Sequence, residues 1–409
     1  TREGDQLRIL IDGRLVLQQT VTVGEMGPAG LVPIRATMRV EHFSAKGNFL
    51  PFQQKATGSV NQVSRITMHP LVKEMPDLKL GPFVRLSDGG ILTAEEKSAW
   101  ITYDDGRTWR EHRIFAEDAP FRIKPERVLM RLRSGVILLV MNNWAVEKIS
   151  WNHQTNRPNP EMHRPTYVVR SLDEGKTWEE PRLLYDGYCG ALRDAIQTRD
   201  GAVVVLGQEL LFDEGRNSSR AYVSTDDGVS WTKTPWLDIG NEHGDHSGTI
   251  EATVEQLKDG RLWTLLRTYR GWFFEAYSED DGRTWTPIPP VKSAIRSTGS
   301  PGLLKRLADG RLILIWNAIP NEGFVRREEL SVAFSDDEGA TWTPPLVIAR
   351  NPTGRVSYPY MFEYKPGVLW ITTMQGNFRG EVNVESLYQA AISPNPQPEF
   401  VRSSRYYQE

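Results

Sequence analysis

Through most of the chain, short apolar runs rich in Val, Ile and Leu alternate with small polar clusters built on Asp-Gly. Phe83-Val-Arg-Leu-Ser-Asp-Gly-Gly-Ile-Leu92, Ala195-Ile-Gln-Thr-Arg-Asp-Gly-Ala-Val-Val-Val205, Val254-Glu-Gln-Leu-Lys-Asp-Gly-Arg-Leu-Trp263 and Leu304-Lys-Arg-Leu-Ala-Asp-Gly-Arg-Leu-Ile-Leu314 share this form. Weaker versions stand at Arg133-Ser-Gly135 and Lys365-Pro-Gly367. Asp-Gly between β-rich runs is a strong hairpin signal. The pattern therefore predicts six hairpins, beginning near residues 80, 125, 190, 248, 298 and 356. No amphipathic helix of useful length is expected. Residues 1–70 contain strand-like runs such as Leu7-Arg-Ile-Leu-Ile11 and Leu15-Val-Leu17, and part of this segment is expected to pair with the last unit, since an open ring would leave bare strand edges.

Between the hairpins a second pattern repeats. Thr102-Tyr-Asp-Asp-Gly-Arg-Thr-Trp109, Ser171-Leu-Asp-Glu-Gly-Lys-Thr-Trp178, Ser224-Thr-Asp-Asp-Gly-Val-Ser-Trp231, Ser278-Glu-Asp-Asp-Gly-Arg-Thr-Trp285 and Ser335-Asp-Asp-Glu-Gly-Ala-Thr-Trp342 lie 53 to 69 residues apart, and the sixth hairpin has no copy. Each copy has the chemistry of a tight turn. A short Asp bonds nearby amides, Gly supplies a positive φ, hydroxyls satisfy further backbone groups, and Trp buries its ring. Periods of this size indicate a propeller of four-stranded antiparallel blades. The expected architecture is all-β: one domain over 1–409, with six blades across 75–390 and residues 1–70 contributing to ring closure.

Composition narrows the function. The chain of 409 residues has 49 Lys and Arg against 52 Asp and Glu, so no overall field draws it to nucleic acid. No apolar run reaches the roughly 20 residues needed to span a bilayer. The single cysteine, Cys189, excludes an internal disulfide framework and any multi-thiolate metal site. No cofactor fingerprint and no standard metal motif is present. Five of the 13 tryptophans belong to the repeated turn and speak only for the fold.

The five Ser/Thr-x-Asp-x-Gly-x-Thr/Ser-Trp copies resemble the Asp-box (BNR) repeats of the sialidase superfamily. The resemblance implies a six-bladed propeller whose boxes lie on outer turns. It also implies a glycoside hydrolase, secreted or periplasmic, that removes a terminal acidic sugar from a glycan. In that family a Tyr nucleophile replaces the usual carboxylate. The pattern maps onto Glu251 of Gly248-Thr-Ile-Glu251 as the base, Arg267 and Arg327 as the clamp for a substrate carboxylate, and Tyr358 of Ser357-Tyr-Pro-Tyr360 as the nucleophile. Arg binds carboxylates through an always-charged fork, and a Tyr with an ordinary pKa near 10 needs a neighbouring base. The family's blade-one Arg is missing from Leu78-Lys-Leu-Gly-Pro-Phe83. Lys79 offers charge there, and Glu95 or Glu96 would have to replace the family's Asp acid/base. Phe121-Arg-Ile-Lys-Pro125 is a near-match one blade late, which brings in Arg122.

Other clusters complete the candidates. Asn241-Glu-His-Gly-Asp-His246 places Asp245 and His246 at the expected pocket rim, as a proton donor, a sugar contact or a metal site. Arg193 and Asp194, on the blade-three inner strand, form either an ion pair or a pocket pair. Trp144, Trp151 and Trp272 are candidates for stacking on sugar rings, and Asn217-Ser-Ser219 matches a glycosylation acceptor. A non-catalytic glycan-binding propeller and a polysaccharide lyase acting on uronates are the alternatives to hydrolysis.

Overall fold

The computed structural model describes residues 2–3, 6–11, 14–20, 66–240, 243–319, 327–352 and 354–398. The chain divides into two compact units, Thr1–Asn61 and Gln62–Glu409. In the first, strands Arg2–Glu3, Gln6–Ile11 and Arg14–Thr20 form an antiparallel sheet. The second is a six-bladed β-propeller of antiparallel sheets. Its inner strands are Val84–Arg85, Ile123–Arg131, Cys189–Gln197, Ile250–Gln256, Leu303–Arg306 and Ser357–Lys365, all within a few residues of the hairpins predicted from Asp-Gly spacing.

The ring closes on blade six. Strand Lys73–Glu74 pairs as its fourth strand, with Glu74 opposite Gly380 and Lys73 opposite Glu381. Closure thus comes from just beyond the 1–70 segment. Within that segment, Thr67–Met68 extends blade five, where Met68 faces Ala349. Within the first unit, the runs at 7–11 and 15–17 pair with each other as adjacent arms of one hairpin. Among the described residues no helix is long and apolar enough to cross a membrane.

The repeated turns work as their chemistry predicts, with one addition. In the first copy, the amide and hydroxyl of Thr108 donate to Asp104 at 2.9 and 2.6 Å, and the Gly106 amide donates to the Thr102 hydroxyl at 3.0 Å. In all five, the Trp indole donates to the glycine carbonyl at 3.0–3.2 Å. The acidic residue before each glycine is also left-handed: Asp105, Glu174, Asp227, Asp281 and Glu338 have φ of 55–63°. A short carboxylate side chain tolerates this region better than most.

Each turn is also a joint between blades. Trp178 packs into the cluster shared by blades one and two, Trp231 into that of two and three, Trp285 into three and four, and Trp342 into four and five. Trp109 packs with Trp370 and Leu78 where blade six meets blade one. Each of the five turn tryptophans therefore anchors its blade to the preceding one. Blade six has no such turn, and here the structure departs from the expectation of no helix. Helix Val384–Ala391, capped by the Asn383 side chain accepting from the Ser386 amide, turns Val384, Leu387 and Ala391 into the cluster between blades five and six. Positions i, i+3 and i+7 share one face, so one short amphipathic turn of chain replaces the missing tryptophan.

Candidate active site

The inner strands begin at one end of the ring, and the two residues singled out for chemistry sit at those beginnings. Tyr358 is the second residue of its strand and Glu251 the second of its own. Both have left-handed backbones, φ 64° and 45°. Such a conformation costs a non-glycine residue about 1–3 kcal/mol and clusters at functional sites. At Glu251 the pairing with the next strand shifts register between Ile250 and Thr253, and this bulge re-aims the side chain. Arg267 ends that next strand, opposite Ile250.

The side chains converge. The Tyr358 hydroxyl donates to Glu251 Oε1 at 3.0 Å. Arg267 Nη1 pairs with Glu251 Oε2 and also donates to the Tyr358 oxygen at 3.1 Å. Arg267 Nη2 donates to the Tyr269 hydroxyl at 2.7 Å, and Arg327 donates to that same hydroxyl at 3.2 Å and to the Gly299 carbonyl at 2.8 Å. Arg327 and Arg193 lie over the Tyr358 ring, 5.6 and 5.3 Å from its centre. Glu251 is 8 %, Tyr358 7 % and Arg267 1 % exposed.

The environment separates the proton affinities. Burial pushes the Glu251 carboxyl up, but the Arg267 guanidinium outweighs it and holds the group below its usual range. Burial, and then the Glu251 charge, push the Tyr358 phenol up. At neutral pH the pair is therefore carboxylate and phenol, with the phenol's proton already aimed at the carboxylate. Three guanidinium groups around one carboxylate leave the site net positive, which favours an anionic ligand.

His246 and Asp245 stand at the rim. The His246 ring lies edge-on to Tyr269 with centres 5.7 Å apart, and its Nδ1 is 3.0 Å from Asp245, whose carboxyl it holds down. Arg122 is placed elsewhere. It pairs with Glu96 and stacks on Trp144 at 4.6 Å, at an exposed junction of blades one and two. Glu95 is taken by Lys79 at 3.1 Å and by the Leu80 amide. Arg193 and Asp194 are not an ion pair with each other. Neighbouring side chains on a strand point to opposite faces, and Asp194 meets Lys305 at 2.6 Å and the Thr253 hydroxyl at 2.6 Å. Trp151 packs with Met162 and Tyr188 in the blade-two insertion, and Trp272 lies between Lys292 and Arg296 of the outer strand. Asn217 is fully buried, with its amide held by Gln208 and the Asp245 carbonyl, so the triplet presents no surface acceptor.

Sequence reading missed Tyr269, Tyr360, Arg127 and Lys305. The available signal was charge inside inner strands, where Glu126-Arg127 and Lys305-Arg306 interrupt otherwise apolar runs. Arg127 is 1 % exposed, and Tyr360 bonds to the blade-two strand at Pro125 and Arg127.

Residues 101–371 match the family described as BNR repeat-like domain, and the chain belongs to that family. No protein of curated function matches the sequence. Among solved structures, a protein of unknown function from Dyadobacter fermentans is 17 % identical, with TM-score 0.54, covering 76 % of this chain and 98 % of the other. The NanB sialidase of Streptococcus pneumoniae is 13 % identical, with TM-score 0.54, over 78 % of this chain and 70 % of that one. An α-L-arabinofuranosidase of Fusarium graminearum is 12 % identical, with TM-score 0.51, over 77 % and 99 %. The fold is the sialidase-type propeller.

Proposed function

We propose that this BNR-repeat propeller is an exo-glycoside hydrolase that removes a terminal acidic sugar from a glycan. The observation that carries the reading is the buried Tyr358–Glu251–Arg267 network, built on two left-handed residues at the mouth of the ring. Tyr358 Oη attacks the anomeric carbon as its proton passes to Glu251. The bond to the leaving oxygen breaks, and His246, oriented by Asp245, supplies that oxygen's proton. Water, deprotonated by His246, then displaces the tyrosyl oxygen, which recovers its proton from Glu251. Arg267 and Arg327 receive the sugar carboxylate. As Arg267 turns to the substrate, its hold on Glu251 weakens and the carboxylate becomes a better base.

The same geometry favours an anionic substrate over a neutral one, because a neutral sugar would leave the arginines unanswered. Turnover of a panel of fluorogenic glycosides by the unaltered chain and by Tyr358→Phe tests the proposal. Release from an acidic glycoside that Tyr358→Phe abolishes supports it. Equal turnover by both removes Tyr358 as nucleophile. A second reading, glycan binding without catalysis, is favoured by blade one, where Lys79 is already committed to Glu95. Glycan-array binding with no released sugar by mass spectrometry would establish that reading instead. An unsaturated uronate product would mark a lyase.

A further inference from the structure

One layer into the ring from Tyr358 lies a cavity of about 140 Å³, lined by Arg127, Arg193, Asp194, Lys305 and Tyr360 together with apolar residues of the inner strands. Its charges do not balance. Lys305 is answered by Asp194 at 2.6 Å. Asp194 is then saturated: Oδ1 also accepts from the Ala195 amide at 2.9 Å, and Oδ2 accepts from the Thr253 hydroxyl and the Val254 amide at 2.6 and 3.0 Å.

Arg193, 3 % exposed, makes one hydrogen bond, from Nη2 to the Pro359 carbonyl at 2.7 Å. Its Nε and Nη1 are buried without a partner among the described residues. Arg127 donates to the carbonyls of Pro125 and Leu80 and to Thr93, and its Nε is likewise unpartnered. Both arginines line the cavity with Tyr360. The Arg193 guanidinium lies 4.4 Å from the Tyr360 ring centre, and the Arg127 backbone amide donates to the phenol oxygen at 3.3 Å. Carbonyls and aromatic faces satisfy some donors but supply no counter-charge, and among the described residues no carboxylate touches either group.

Two buried guanidinium charges lining one cavity with no carboxylate against them are strongly unfavourable, and Arg does not escape by losing its proton at neutral pH. A bound anion resolves both the charge and the orphaned N–H groups. The space admits a monatomic ion with a few waters. Its apolar walls suit a weakly hydrated anion, because they offer nothing to replace a tight hydration shell.

We infer that this cavity is a resident anion site, holding a monovalent anion of the halide class between Arg127 and Arg193, next to the Arg267–Arg327 clamp, with Arg193 also lying over the Tyr358 ring. The site does not depend on the chemistry proposed for Tyr358. The test is thermal unfolding of the full chain in methanesulfonate, with chloride or bromide titrated in at constant ionic strength. Crystals grown with bromide locate the ion by its anomalous signal. The expected result is a saturable rise in Tm and a bromide peak within hydrogen-bond reach of Arg193 Nε or Nη1. Arg193→Met abolishes the halide response, while Tyr358→Phe keeps it even if it loses all turnover. Equal Tm with and without halide overturns the proposal, as does a cavity without bromide. So does acetate producing the rise while bromide does not, which would make the cavity a carboxylate subsite. If Arg193→Met does not fold, the bromide result on the unaltered chain decides.

Discussion

Replacing Glu251 by Gln separates a dry, charge-paired network from a solvated one. The substitution preserves the shape of the side chain and removes one charge. Arg267, 1 % exposed, then keeps neutral acceptors in the Gln amide oxygen and the phenol oxygens of Tyr358 and Tyr269 but no counter-charge among the described residues. Breaking a buried ion pair at one end leaves the other charge uncompensated, at a cost of about 3–5 kcal/mol. The Tyr358→Phe change leaves the pair intact and removes two hydrogen bonds, for which about 2 kcal/mol is expected. Glu251→Gln is thus the more destabilising of the two, although it deletes fewer contacts. Adding Arg267→Met to Glu251→Gln restores part of the loss, since the orphaned charge disappears and an apolar chain of similar length fills the space. The assay is guanidinium unfolding followed by tryptophan fluorescence, with the midpoint read at unchanged slope. A loss below about 1 kcal/mol for Glu251→Gln, or no recovery in the double variant, would refute the dry pair. It would also remove the reason Glu251 is held ionised beside Tyr358.

Three further predictions follow from the fold and the rim. Gly228→Ala and Gly260→Ala both sit on left-handed backbone, φ 81° and 99°, but the first places its methyl 2.6 Å from Leu138 of the preceding blade while the second meets no atom within 4 Å, so Tm falls further for Gly228→Ala. Leu387→Ala opens the joint between blades five and six and costs about 2–5 kcal/mol, whereas Gln389→Ala on the exposed face of the same helix changes stability by less than about 0.5 kcal/mol. Thr108 holds the Asp104 carboxyl down to about 2 from its ordinary 3.8. A depressed carboxyl contributes stability above its unfolded pKa and loses it as pH falls. Tm should therefore drop between about pH 4 and pH 2, less steeply in Asp104→Asn. A pH-independent Tm over that window contradicts the assignment.

The division between what the sequence reveals and what it hides follows from the range of each interaction. A turn box is local. Its Asp, Gly, hydroxyls and Trp act on backbone within four residues, so each copy carries its whole specification in eight letters, and the six hairpins between which the copies fall set the blade count. The left-handed acidic residue inside each box escapes such reading, because Asp and Glu there look like any polar turn residue. Ring closure escapes too. Lys73–Glu74 and Thr67–Met68 are two-residue strands, too short to show a period of two. The Val384–Ala391 helix did leave a signal, Asn383 before an i, i+3, i+7 apolar set, but eight residues make a weak pattern in a chain dominated by strands.

The site residues divide on the same principle, with an instructive exception. The family resemblance maps Glu251, Arg267, Arg327 and Tyr358 onto this chain, and the structure brings all four into one cluster. Arg122 was placed by a local motif match, and the structure ties it to Glu96 and Trp144, away from that cluster. In a propeller, the position of a residue along the inner strand decides whether it faces the axis, and a motif displaced by one blade and one residue lands on a different surface. Arg127, five residues on and within the strand proper, reaches the axis where Arg122 does not. The informative feature of blade two was therefore a charge where an inner strand should be apolar. The same rule marks Arg193, Asp194 and Lys305, and it separates the two arginine groups of the ring. Arg267 and Arg327 meet at the Tyr269 hydroxyl beside Tyr358. Arg127 and Arg193 line the cavity at Tyr360, where a resident ion answers them.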